Sequence, residues 1–247
     1  MSIVLSLMLF AVGLPPPPVS EGDFNALASR PFCYCVDVPV EDVDQLRVSA
    51  EAGDALSARL LSFALRNNPE TEGDADDWLA RSAALGNSIS QSIYGLGLWD
   101  DGNKDGAMFW MERAAIQGLR EASNALGTMH GDLGDKNQAA FWARRAGLSG
   151  SVSNLEYNLL GGAEMRLSDS ESKAWRALAT RLGSEHISES CDDAEDPQSC
   201  GRMLSALEAE FHANAKSLLE LLKRDSEIYT KYWCVPRTEQ SSGRPSK

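Results

Sequence analysis

Histidine, basic charge and catalytic motifs are what this chain has least of. Only three histidines occur, His130, His186 and His212, and they share no metal-ligand spacing. No Gly-x-Ser-x-Gly, His-Glu-x-x-His or Walker pattern is present, which argues against an enzyme and for no cofactor. Lysine and arginine number 23 against 36 acids, for a formal charge of −13. That balance excludes the basic stripe with which a protein neutralises nucleic-acid phosphates. It suits solubility, or steering towards a partner with a basic surface. The deficit of bases is local: residues 21–80 hold 13 acids and 4 bases, whereas residues 101–160 hold 7 and 6. A solvated acidic face is the plain reading of that skew, and an electrostatic docking surface the sharper one.

Long apolar runs are scarce too. The opening stretch, MSIVLSLMLFAVGL, carries no charged side chain but falls short of the roughly 20 residues that a bilayer span needs. It reads as the apolar core of a secretory signal with Ala11 and Gly13 in the cleavage frame, although it lacks the usual basic start. Pro15 to Pro18 cannot continue a helix and form a stiff extended spacer. Residues 1–20 are therefore assigned as signal and spacer. The expected location is the periplasm of a Gram-negative bacterium, with no membrane span in the mature chain.

Five cysteines fit that compartment: Cys33, Cys35, Cys191, Cys200 and Cys234. Cys191 and Cys200 flank an acidic loop and form the expected local disulfide, and one of Cys33 and Cys35 can reach Cys234. A zinc site is the alternative. The Cys-x-Cys spacing is tighter than the usual knuckle and no histidine stands nearby, so no metal is expected.

What the chain does have is a period. Trp78, Trp110 and Trp142 recur at a constant interval, and Gly86, Gly118 and Gly150 follow them at a constant offset; Arg81, Arg113 and Arg145 keep the same step. A period in the thirties marks stacked helical hairpins. In the second unit Trp78, Ala80, Ala83 and Ala84 lie on the first helix, and Ile89, Ile93, Leu96 and Gly97 on the second. The fourth unit repeats the pattern with Ala139, Trp142, Ala143, Ala146 and Gly150, then a thinner helix with Leu155, Leu159 and Leu160. Gly53 stands close to one full period before Gly86, at the turn of a degenerate first unit in which Gln45 replaces the tryptophan. Trp175 and Gly183 open a fifth unit, with Ser168 and Asp169 as its caps. Alanine lets facing helices approach, tryptophan fills the wedge between hairpins, and glycine turns the chain.

The pattern Ala-x-x-Trp-x-x-x-Ala-Ala-x-x-Gly, followed by Ala-x-x-x-Leu-Gly and a glycine-rich exit, resembles the Sel-one-like repeat, a close relative of the tetratricopeptide repeat. Ala107, Trp110, Ala114, Ala115, Gly118, Ala122, Leu126, Gly127 and Gly131 carry it. The resemblance is clear over residues 76–162 and extends by weaker spacing over 41–190. It implies an all-α fold, a right-handed α-solenoid whose concave face serves protein–protein interaction. Residues 21–40 read as irregular, with the VDVPV stretch as an edge strand or extended cap. Residues 191–234 form an acidic loop and a capping helix over 198–230, and residues 235–247 a disordered tail.

The resemblance also bears on function. A secreted branch of the family with cysteine pairs inside each repeat is linked to β-lactam binding, and this chain has no cysteines there. Other exported members act as immunity partners of toxins delivered between bacteria, phospholipases included. The expectation is thus a non-catalytic envelope scaffold, and specifically a periplasmic immunity protein (antitoxin) against a type VI secretion phospholipase-type toxin. A general envelope adaptor, or a β-lactam or cell-wall hydrolase, is the alternative.

Met108, Met111, Glu112, Arg144 and Arg145, placed on the first helices away from the Trp–Ala face, are the expected protein-binding residues, together with Trp99, Asp100 and Asp101. The tryptophan row itself is structural. The loop at 100–106 resembles a calcium loop but lacks the glutamate at its twelfth position.

Overall fold

A glycine followed by a short acceptor side chain sets most of the helix boundaries. Gly53, Gly86, Gly102 and Gly134 take φ of 98°, 100°, 84° and 79°, a backbone conformation open to glycine at little cost, and each ends a helix there. The next residue caps the following helix. Asp54 accepts from the Ser57 amide at 2.7 Å, Asn87 from Ser90 at 2.9 Å, Asn103 from Gly106 at 3.0 Å and Asp135 from Gln138 at 3.1 Å. Two residues thus stop one helix and start another, which is why the hairpins are tight. Asn103, central to the calcium-like loop, is committed to this capping role.

The structure is a computed structural model that describes residues 36–66, 71–150, 152–160, 165–231 and 233–234. The signal, the spacer, Cys33, Cys35 and the tail after residue 234 lie outside that set. Ten α-helices follow in order among the described residues: α1 (Val43–Glu51), α2 (Ala55–Arg66), α3 (Glu72–Ala84), α4 (Ser88–Asp100), α5 (Lys104–Ile116), α6 (Arg120–Asp132), α7 (Lys136–Gly147), α8 (Val152–Leu160), α9 (Asp169–Arg181) and α10 (Pro197–Lys231). Strand among them is confined to β1 (Val36–Asp37) and β2 (Trp233–Cys234), which pair antiparallel. The chain is all-α, and successive helices pack on one another as a solenoid requires. The fifth unit opens as its sequence indicates, with a full capping box between Ser168 and Glu171.

The tightest seams run between hairpins, α2 on α3, α4 on α5 and α6 on α7. At α4–α5 glycine eases the approach, while at α6–α7 an added methyl would make only ordinary contact. A Cβ at Gly95 would stand 3.1 Å from the Ala107 carbonyl oxygen, and one at Gly127 3.6 Å from the Ala139 carbonyl oxygen. Gly95 and Gly127 are one period apart, as are Tyr94 and Leu126. Leu96 and Gly97 lie on this helix as expected, but Leu96 is exposed and Gly97 faces open space. In the second unit the seam is polar. Ser82 donates to the Ala55 carbonyl at 2.6 Å and lies 2.8 Å from Ser90, where the third unit has Ala114 and Ala122.

The core is divided along the array into three clusters. The first gathers Leu46, Ala58, Leu61 and Ala75, the second Ile89, Met111, Leu126 and Trp142, the third Leu155, Trp175, Leu178 and Phe211. Such segmentation follows from repeats that contact only their neighbours.

α10 departs from the expected end cap. It packs on α9, as a cap would, and Arg181 pairs with Glu208 at 3.1 Å. The helix is 35 residues long in all, about 52 Å at 1.5 Å per residue. Its middle crosses the turn after α7: Asn214 donates from Nδ2 to the Leu148 carbonyl at 2.7 Å. There a Cβ on Gly150 would sit 2.6 Å from the Ala215 amide nitrogen, so only glycine admits the helix. Beyond α10, β2 sets Cys234 opposite Val36 and Trp233 opposite Asp37. The last helix is therefore a strap that returns the chain to its first described residues.

Candidate functional site

The exposed parts of the first helices form a repeated surface. Phe109 on α5 and Phe141 on α7 are one period apart and each is 51 % exposed. Each packs edge-on against the tryptophan that follows it, Phe109 on Trp110 at 5.1 Å and Phe141 on Trp142 at 5.0 Å between ring centroids. An arginine lies one turn along the same helices. Arg113 is over the Phe109 ring at 5.4 Å, Arg145 over Trp142 at 5.9 Å, and Arg81 on α3 over Trp78 at 5.0 Å. The row of cations seen in the sequence is thus laid on aromatic faces along successive first helices.

The expected binding residues divide. Glu112, Asp100 and Asp101 are exposed, and Met108 is half-buried. Arg145 is half-buried and, with Ala115, Gly118, Ser123, Ser149 and Asn214, lines a small depression between the turns of the third and fourth units. Met111 is not on the surface. It is fully buried, its Cγ lies 3.2 Å from where a Gly95 Cβ would be, and its Sδ is 3.7 Å from Ser92 Oγ. The missing side chain at Gly95 makes the space that Met111 fills.

Two more of these residues have structural work. Arg144 donates to the Met165 carbonyl at 3.0 Å and pairs with Glu171 at 2.9 Å, holding the segment that enters α9. Trp99 is half-buried, with the Lys104 ammonium 3.5 Å from its ring centroid. Among the exposed apolar residues absent from the expected set are Phe109, Phe141 and Ile116, the last 68 % exposed. Counting by the period would have found Phe109, because Phe141 repeats it. Ile116 gave no such signal, since Leu148, one period on, is only 3 % exposed.

Among the cysteines, Cys191 and Cys200 are bonded, with Cα atoms 5.5 Å apart. Cys234 lies opposite Val36, the neighbour of Cys35, in the β1–β2 pair. Among the described residues no helix is long and apolar enough to cross a membrane.

Fold and surface together define a solenoid of helical hairpins whose third and fourth units each expose a phenylalanine at the same position. No protein-family model matches the chain, and no curated protein does. Among solved structures it is similar to c5321, a protective antigen present in uropathogenic Escherichia coli strains displaying an SLR fold, at 19% identity and a TM-score of 0.45. The similarity covers 85% of this chain and 45% of that one, so the present chain spans less than half the length of its structural neighbour.

Proposed function

We propose that this protein is a non-catalytic, protein-binding repeat scaffold exported to the bacterial envelope. More specifically, we read it as a periplasmic immunity protein that binds and neutralises an antibacterial toxin of the phospholipase type. The observation that carries the binding reading is the repeated exposure of Phe109 and Phe141, each half in solvent at the same position of its unit. Scattered apolar residues on a surface are ordinary, but a periodic aromatic row along a solenoid is a contact surface. The Cys191–Cys200 bond fits an oxidising compartment. The acidic skew of residues 21–80 suits a partner with a basic surface.

The test is affinity purification of the tagged full chain from a periplasmic fraction of its own host. One stoichiometric toxin, with protection of toxin-exposed cells by the expressed chain, is the expected outcome. Several housekeeping partners would replace immunity by a general envelope adaptor. Turnover of a β-lactam or of cell-wall fragments by the pure protein would overturn the non-catalytic reading.

A further inference from the structure

Equivalent positions at three successive joints of the array are filled in three ways. Between the second and third units stand Gln91 and Gln117. Gln91 is buried, donates from Nε2 to the Ala83 carbonyl at 3.0 Å, and accepts from Gln117 Nε2 at 2.8 Å. Two carboxamides thus plug the space and satisfy one another. Between the fourth and fifth units the same positions are Leu155 and Leu182, which pack in one apolar cluster. Between the third and fourth they are Ser123 and Ser149, each too short to reach across. What is left there is a depression of about 20 Å³, room for one water-sized atom. Its other walls are Ala115, Gly118, Arg145 and, from α10, Asn214, so the hollow persists with the last helix resting beside it.

The lining holds donors in excess. Ser123 is 3 % exposed, and its hydroxyl makes no hydrogen bond among the described residues. Arg145 is half-buried over the Trp142 ring and meets no carboxylate among them. Asn214 gives one amide N–H to the Leu148 carbonyl and has a second to offer. We propose that this depression is a carboxylate subsite. One oxygen enters between Ser123 and Asn214, and the other stays at the mouth against the Arg145 guanidinium, a charge-assisted pair. The shape has a precedent one joint earlier, where the Gln91 carboxamide, the neutral isostere of a carboxylate, fills the equivalent space. A water molecule fits the volume too, but it leaves a half-buried guanidinium without a counter-charge. Arg113, the counterpart of Arg145, has no such hollow behind it and lies exposed on Phe109. Where the carboxylate is an aspartate or glutamate of a protein, the subsite rests on the binding reading and marks where that partner anchors. Where it is a free small acid, the subsite stands without that reading.

The probes are sodium acetate and a capped Gly-Glu-Gly tripeptide, whose only carboxylate is a side chain. Each is titrated into the isotope-labelled full chain at constant ionic strength against chloride, and the Ser123 amide and Trp142 indole N–H resonances are followed by NMR. Saturable shifts with a Kd of about 1–10 mM are expected. Arg145→Gln should weaken them about tenfold or more, and Ser123→Gln, which rebuilds the plug of the preceding joint, should abolish them. Arg113→Gln should leave them unchanged. Circular dichroism and thermal unfolding that match wild type establish that the variants fold. Tripeptide binding at least as tight as acetate assigns the carboxylate to a protein side chain; tighter binding of acetate assigns it to a free small acid. No saturable shift with either probe overturns the proposal and leaves an ordered water as the occupant. Shifts indifferent to Arg145→Gln and Ser123→Gln overturn it as well. A partner captured equally by wild type and Arg145→Gln does not anchor here, and the scaffold reading then stands without this subsite as its anchor. If the chain captures no partner, the scaffold reading is what fails.

Discussion

The same repeat position leads two lives in the two halves of the array. Trp78 and Trp110 stand half-buried, whereas Trp142 and Trp175, one and two units further on, are buried, Trp175 to 1 % exposure. The turn glycines follow suit. Gly86 has no heavy atom near its missing Cβ, while Gly150 has the α10 backbone against it. Gly147, just before it, has the Trp175 ring 2.8 Å from its missing Cβ. Each hairpin packs on its neighbours, and the C-terminal ones are also held by Phe211 and Ala215 of α10 and by the Cys191–Cys200 bridge. In a solenoid, stability comes from the units and the interfaces between them, so an added layer over two units should make those the firm end.

The sharpest way to break this comparison is to empty the two tryptophan positions. Trp175→Ala should cost about 3–5 kcal/mol in urea unfolding, and Trp78→Ala only about 1–2 kcal/mol, because much of its surface is already in solvent. Equal losses would mean that depth of burial does not distinguish the halves. The turn glycines come next. Gly86→Ala should cost about 1–2 kcal/mol from the positive φ alone. Gly150→Ala should exceed it by at least about 1 kcal/mol, because the methyl meets the Ala215 backbone. Hydrogen exchange should then show faster exchange of α10 amides in Gly150→Ala and no change there in Gly86→Ala.

Removing the bridge with Cys191→Ser and Cys200→Ser together should cost about 2–3 kcal/mol for a loop of this size. Denaturant unfolding under reducing and non-reducing conditions would measure it, and the loss should be confined to the α9–α10 end. Peptide mapping without reduction checks the other expected link: a fragment joining Cys33 or Cys35 to Cys234 would tie together the two ends of the array. The smallest effect belongs to Arg144→Ala. Its ion pair with Glu171 is partly exposed and should contribute no more than about 1 kcal/mol.

Much of the fold was legible because its grammar is local. A Gly–Asx dipeptide both ends and caps helices, and an evenly recurring tryptophan counts the units. In the run Tyr94-Gly95-Leu96-Gly97 the sequence does not say which glycine faces a neighbouring helix. Only the approach of α5 tells which glycine is needed. Met111 was misplaced for the same reason, since the hollow that takes it is made by a residue of the preceding helix. The course of α10 was hidden more deeply. An amphipathic pattern states that a helix has a face to bury and is silent on what the face meets. The contact of Gly150 with Ala215 joins residues far apart in the chain, at a glycine that looks like every other turn glycine. The candidate surface was half legible, as the Phe109–Phe141 pair recurs but the exposure of Ile116 shows only in the structure.

A stack of hairpins joined only to its neighbours behaves as a spring, whose pitch changes by small rotations summed over every joint. The return of α10 to β1 lays a rod of about 52 Å between the two ends of that spring. With both ends pinned, stretching one joint must compress another, so the spacing of the hairpins becomes a fixed dimension. On the proposed binding role, a partner meets a gauge already set to one size. The ordering cost of setting it is met on folding, and what remains for binding is the fit.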